Sequence, residues 1–155
     1  SEFSGVRRRF EIRGDERGIL VVDDYAHHPT EVELTLEAAR KGWPGRIVAV
    51  FQPHLYTRTV ALAERFGRSF YHADQVILTD VYPSREDPLP GVTGELIAKA
   101  ARKFGHRSVT YIEDKERIAS HLLSMVKGGD MVVFLGAGDI YKVADQVVEE
   151  LRRQG

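Results

Sequence analysis

Three of the six histidines in this chain fall in two short polar segments. The first is Asp23-Asp24-Tyr25-Ala26-His27-His28-Pro29, and the second is Gln52-Pro53-His54-Leu55-Tyr56-Thr57-Arg58. Each follows a run of apolar residues, Ile19–Val22 and Arg46–Phe51 respectively. An imidazole can take or give a proton near neutral pH, and imidazole with carboxylate can hold a zinc-like ion. A metal-dependent hydrolase built on Asp24, His27, His28, His54 and Asp80 is therefore one reading. Against it, adjacent histidines tend to point apart, and no third ligand stands at a diagnostic spacing. Asp23, Asp24 and Asp80 also suit plainer work, ending strands and capping the elements that follow.

Arg58 is harder to assign to structure alone. It opens a helical pattern, where the dipole is positive and a cation is disfavoured unless an anion is close. The carboxylate or phosphate of a ligand fits a guanidinium fork in that place.

The elements that must position these residues alternate between β-type runs and helical stripes, the pattern of βαβ units. Arg8–Arg13 and Ile19–Val22 predict an opening hairpin, with Gly14–Gly18 as its turn. Pro29–Gly42 predicts a helix, with Pro29 in its first turn, an apolar stripe of Val32, Leu36 and Ala39, and Gly42 as a cap. Arg46–Phe51 is a strand, Arg58–Phe70 a helix and Gln75–Thr79 a strand; Asp80–Val92 is a loop with three prolines. Thr93 and Asp114 suit caps of two further helices, on either side of a short Val109–Ile112 strand. Met131–Leu135 is the most apolar strand, and Gly136–Gly138 turns it into the last helix.

The expected fold is a Rossmann-like α/β domain. It has an open, mostly parallel sheet of five to six strands, helices on both faces and an opening β-hairpin. In such sheets ligands bind beyond the carboxyl ends of the strands, which is where the histidines, Arg58, Asp80 and Gly136–Asp139 fall.

Bulk composition narrows the field. The formal net charge is −1, which gives no basic footprint for nucleic acid or for an anionic membrane. No apolar run approaches the roughly 20 residues of a membrane span. There is no cysteine, so disulfide, thiolate and iron–sulfur chemistry are excluded, and a reducing, cytoplasmic setting is compatible. Residues 1–4, opening Ser-Glu-Phe without Met, read as a vector-derived remnant or linker, and residues 5–155 as one domain. No glycine precedes a lysine, so the chain holds no G-x-x-x-x-G-K-[ST] phosphate loop. Gly136-x-Gly138 is half of a dinucleotide fingerprint, but Tyr141 stands where the third glycine belongs. A non-enzymatic Rossmann-like nucleotide-binding module and a simple tight turn both stay open on that evidence.

Three segments carry a resemblance to a known family. Asp23–Val32 resembles a signature segment of the Mur ligases, the ATP-dependent amide-forming enzymes of peptidoglycan synthesis. Phe51-Gln52-Pro53-His54 with Tyr56-Thr57-Arg58, and Gly136-Ala137-Gly138-Asp139-Ile140-Tyr141-Lys142-Val143, resemble two further motifs of the same family in the same order. The likeness runs from about Gly5 to Leu151. It is nearest to the branch that joins L-alanine to UDP-N-acetylmuramate. A murein-peptide ligase branch shares the Asp-His-His segment but differs around Phe51–Arg58.

The resemblance implies a C-terminal domain whose UDP-sugar and central ATPase domains lie outside this chain. It implies ATP and Mg2+, the latter held mainly by the central domain, and an acyl phosphate attacked by the amine of L-alanine. It implies nucleotide contacts for Arg9, Asp24 (on the ribose) and Tyr25, and an amino-acid pocket lined by Tyr25, His27, His54 and Arg58. His27 and His54 are the implied catalytic groups, and Arg58 the partner of the alanine carboxylate. Many family members carry Arg where this chain has Leu55, so any contact of that Arg is lost here. The domain alone is expected to be inactive and to dock on its own ATPase domain.

Overall fold

The computed structural model describes residues 9–154, and its six strands form one sheet. In chain order the elements are β1 (Glu11–Glu16), β2 (Ile19–Asp24), α1 (Pro29–Gly42), β3 (Ile47–Phe51), α2 (Tyr56–Gly67), β4 (Gln75–Leu78), α3 (Glu95–Lys103), β5 (Val109–Tyr111), α4 (Ile118–Met125), β6 (Met131–Leu135) and α5 (Tyr141–Gln154). Single 3₁₀ turns at Arg68–Phe70 and Lys115–Arg117 follow α2 and precede α4. The spatial order is β1-β2-β6-β3-β4-β5. β1 is antiparallel to β2, and every other neighbouring pair is parallel.

The central strands read as unbroken apolar runs because both of their faces are covered. Ile47, Ala49 and Phe51 pack against residues of α1, α2 and α3, including Val32, Leu36, Phe66 and Ile97. Val48 and Val50 pack on the other face with Ile118, Leu122, Val143 and Val147 of α4 and α5. Phe51 is fully buried, with its ring 5.1 Å from Phe66 and 5.7 Å from Phe70. Burial of one such side chain contributes roughly 2–3 kcal/mol.

Because β2, β3, β4 and β6 are parallel, their carboxyl ends share one edge. β3 leads into α2 on one face and its neighbour β6 leads into α5 on the other, so the edge opens between them.

Several expected boundaries move. β1 runs through Gly14 to Glu16, and the turn is only Arg17–Gly18, both with positive φ. Gly14 is a packing glycine, not a turn glycine: a Cβ there would lie 2.7 Å from Val148 Cγ1. The register is irregular between Ile12 and Gly14, which accommodates that close approach. Arg8 and the leading residues 1–8 lie outside the described residues. Gly42 is the last helical residue of α1, not its cap; Arg40 satisfies the end by donating to the carbonyls of Trp43 and Gly45. α2 starts at Tyr56, two residues before Arg58, and ends at Gly67, with its expected last turn tightened to 3₁₀.

Candidate functional site

The turn from β2 into α1 is built almost wholly from its own residues. Asp24, 6% exposed, accepts from the amide of Phe10 (2.8 Å) on one oxygen and from that of Ala26 (2.8 Å) on the other. Glu31, in the first turn of α1, accepts from the amides of His27 and His28 (3.1 Å each). Burial pushes the Glu31 carboxyl up, but these two backbone bonds prevail, and its pKa lies below the ordinary value. His27 Nδ1 lies 2.9 Å from the Tyr25 carbonyl. A carbonyl only accepts, so Nδ1 donates and a neutral His27 keeps its lone pair on Nε2.

The turn from β3 into α2 is held from a distance. Leu55 donates to the Tyr82 carbonyl (3.0 Å), Tyr82 donates to the Pro53 carbonyl (2.8 Å), and His54 and Tyr82 form a parallel bridge. The Tyr82 ring stacks on His54 with centroids 5.8 Å apart and planes 13° from parallel. Leu55 sits at φ 73°, ψ 133°, a conformation that a branched side chain rarely adopts. Arg58 lies one helical turn after His54, and its guanidinium is 3.3 Å from His54 Nδ1. Arginine only donates, so Nδ1 accepts and a neutral His54 carries its proton on Nε2. The two rings therefore offer opposite functions, a lone pair on His27 and an N–H on His54. Burial and then the charge of Arg58 push His54 below the ordinary histidine value; the same two causes, in the same order, lower His28.

The β6 turn completes the edge. The amide of Gly136 donates to the Asp24 carbonyl (3.1 Å). Gln52, 2% exposed, accepts from the amide of Ile140 (3.1 Å) and donates to Asp139 (2.8 Å). Lys115 reaches the other Asp139 oxygen. Burial raises the Asp139 pKa, but the bonds from Lys115 and Gln52 outweigh it, so it lies low. Gly138 is needed for packing: a Cβ would come within 2.6 Å of Gln52 Oε1 and Tyr82 Cγ. That close packing accounts for Gly138 without a dinucleotide.

The four strand-end turns are thus stitched into one rim. The rings of His27 and His54 approach to 6.1 Å across it, and Asp24, His54 and Arg58 stand on the same edge of the sheet. Arg9 is exposed and lines a cleft of about 260 Å³ with Asp24, Tyr25, Ala26, Glu31, Leu34 and Thr35. A larger cleft of about 490 Å³ opens on the opposite edge around Gly67, Tyr71, Phe104 and His106. Size does not decide between them. His106, at the larger cleft, already uses both nitrogens, on the Ala73 carbonyl and the Ser108 amide, whereas the rim gathers imidazoles, a guanidinium and a carboxylate.

Among the described residues, no group of three His, Asp or Glu side chains is arranged to hold a metal ion. Asp80 instead accepts from the amides of Val81 and Gly94, the plain loop role.

The residues expected together, Asp24, Tyr25, His27, His54 and Arg58, do share one edge of the sheet, but the sequence did not signal Glu86. The anion expected near Arg58 at the start of α2 is in part this residue of the chain itself. Glu86 Oε1 accepts from the amides of Tyr56 (2.5 Å) and Thr57 (3.2 Å), and Oε2 takes the Thr57 hydroxyl. No local spacing signals a partner 30 residues away.

Residues 8–138 match the family model described as Mur ligase, glutamate ligase domain. The UDP-N-acetylmuramate–L-alanine ligase of Geotalea daltonii is 53% identical over 150 residues, covering 97% of this chain and 33% of that protein. The enzyme of the same name from Salinibacter ruber is 52% identical, covering 99% and 32%. Among solved structures, the UDP-N-acetylmuramate-alanine ligase of Thermotoga maritima superposes with TM-score 0.80 at 29% identity, over 99% of this chain and 32% of that one. A murein peptide ligase from Psychrobacter arcticus gives TM-score 0.76 at 26% identity, over 94% and 30%. The chain spans about a third of the length of the curated relatives it matches. On this agreement of sequence, fold and strand-end motifs, the chain belongs to the Mur ligase family, as its C-terminal domain.

Proposed function

We propose that this chain is the amino-acid-receiving domain of a cytoplasmic ATP-dependent ligase that joins L-alanine to UDP-N-acetylmuramate. The names of its relatives support the substrates, and the Arg58–His54 pair facing His27 across the rim is the observation that carries the reading. Among the described residues Arg58 enters no ion pair, so the donors it does not give to His54 are available to the α-carboxylate of an amino acid.

The chemistry proceeds in two steps. The muramoyl carboxylate takes the γ-phosphoryl group of ATP, giving an acyl phosphate and ADP. The amine of L-alanine then attacks the acyl carbon, phosphate leaves and the amine loses a proton. With its carboxylate on Arg58, the amino acid has its amine directed toward the imidazoles. His27, with its lone pair on Nε2, suits the proton acceptor; His54, held neutral, suits a hydrogen-bond donor to the reacting groups. Holding the amine in line can supply several kcal/mol of the barrier.

Asp24 and Arg9 line the nucleotide side. Each Asp24 oxygen accepts one amide and keeps capacity for a ribose hydroxyl. Tyr25, between the cleft and His27, packs at the junction of nucleotide and amino acid. Mg2+ prefers an octahedral shell of oxygens. The rim offers imidazoles, a guanidinium and carboxylates already taken by N–H donors, a poor fit, so we assign the ion to a partner domain outside this chain. Docking on that ATPase domain excludes the water that hydrolyses an acyl phosphate. No described helix is long and apolar enough to cross a membrane.

Phosphate release tests this reading. The full-length protein given ATP, Mg2+, UDP-N-acetylmuramate and L-alanine should release phosphate only when all are present. This chain alone should release none. Robust ATP turnover by the chain alone, or a full-length enzyme that ignores L-alanine but uses a murein peptide, contradicts the proposal.

A further inference from the structure

We propose that Glu86 is a positioning residue for the amino-acid pocket, a carboxylate clamp that fixes the start of α2 so that Arg58 and His54 keep their mutual orientation. The inference rests on the proposed function for the identity of the substrate, but its geometric half stands apart from it.

The Tyr82–Glu86 segment grips the β3–α2 turn at both ends. At one end Tyr82 pairs with the backbone on either side of His54 and stacks on its ring. At the other end the Glu86 carboxylate takes three donors, the amides of Tyr56 and Thr57 and the Thr57 hydroxyl. Between the grips the segment is closed by a bond from the Glu86 amide to the Pro83 carbonyl (2.9 Å), with Ser84 at φ 55°. Leu55 lies inside this grip at φ 73°. A leucine keeps such a conformation only where its surroundings over-determine it, and here its own amide and the next two are all bound by the segment.

Charge adds a second reason for a carboxylate. The first amides of a helix lack intrahelical acceptors and form its positive end. Arg58 places a further cation in that same first turn, and an anion there offsets both. The interaction is mutual, since the bonds to Thr57 and Tyr56 and the nearby Arg58 together hold Glu86 below the ordinary carboxylate range.

Two arms test the clamp. In the full-length enzyme, Glu86→Ala should raise KM for L-alanine by about tenfold or more, the scale of a small misplacement of a positioned group, with KM for ATP within about twofold. Glu86→Gln keeps an oxygen for the two amides and should recover most of the loss. In this chain, NMR of Glu86→Ala should move the amide signals of Tyr56 and Thr57 and the imidazole signals of His54, with those of His28 in place. Unmoved His54, Tyr56 and Thr57 signals overturn the clamp whatever the substrate. Moved signals with an unchanged KM for L-alanine overturn the assigned pocket and leave the clamp standing.

Discussion

The turn from β2 into α1 and the turn from β3 into α2 face the same problem. Each ends a buried strand, presents histidine to the rim and leaves the first amides of a helix without intrahelical acceptors. The first is solved locally: Pro29 brings no amide hydrogen to the first helical position, and Glu31, three residues into the helical run, ties the turn down by accepting from His27 and His28, the two residues before the helix. The second is solved by Glu86, which reaches back 30 residues from the Asp80–Val92 segment. The turn that carries Asp24 and His27 therefore depends on a short piece of chain, whereas the turn that carries His54 and Arg58 depends on a third loop being in place. The less locally determined turn is the one where the amino acid is proposed to bind.

The largest effect that separates the two turns is expected from the base of that third loop. A Cβ on Gly94 would lie 1.9 Å from the Thr79 carbonyl oxygen, so Gly94→Ala forces backbone to move where the Asp80–Val92 segment meets β4. The variant should lose about 3 kcal/mol or more of stability in urea unfolding, the upper range for overpacking, and should displace Tyr82 and His54 before His27. By contrast, Glu31→Ala removes a local cap and should cost about 1 kcal/mol, with the Tyr56 and Thr57 amide signals unmoved. If Glu31→Ala disturbs the second turn as much as Gly94→Ala does, the two turns are not independent and the comparison fails.

A smaller effect concerns pH. His28 and His54 lie below the ordinary histidine value in the folded chain, so the unfolded chain binds protons first as pH falls. Stability should decline as pH drops below about 6.5, with the loss complete below the folded values. Glu31, Glu86 and Asp139 lie below the ordinary carboxylate value; their contribution is present above it and is lost as pH falls through their folded values. The urea midpoint at pH 5 should lie below that at pH 7, and His54→Gln should flatten the slope. Equal slopes for the two proteins exclude a contribution from His54.

The contrast between the turns also marks what the sequence could disclose. α1 was readable to its ends, because Pro29 fixes its start and Val32, Leu36 and Ala39 repeat at helical spacing. β6 was equally plain, an apolar run closed by glycine. Gly14 misled, because a glycine needed for close packing on Val148 looks the same in sequence as one needed for a turn. The start of α2 was misplaced because the acceptor for its first amides is remote. Asp24, His27, His54 and Arg58 were legible as polar residues at parallel strand ends. The roles of Glu86, Gln52 and Lys115 were not, since each rests on contacts through space, up to 88 positions apart in the case of Gln52. The opposed tautomers of His27 and His54 depend on one carbonyl and one guanidinium and could not be read from residue types.

Arg58 is proposed to receive the carboxylate of the amino acid while the nucleotide binds elsewhere on the rim. Steady-state kinetics of full-length Arg58→Ala test it most directly. Loss of a charge-assisted, bidentate contact should raise KM for L-alanine on the order of 10- to 100-fold, with KM for ATP nearly unchanged. An equal rise for both substrates, or none for L-alanine, rules out Arg58 as the partner of the amino-acid carboxylate.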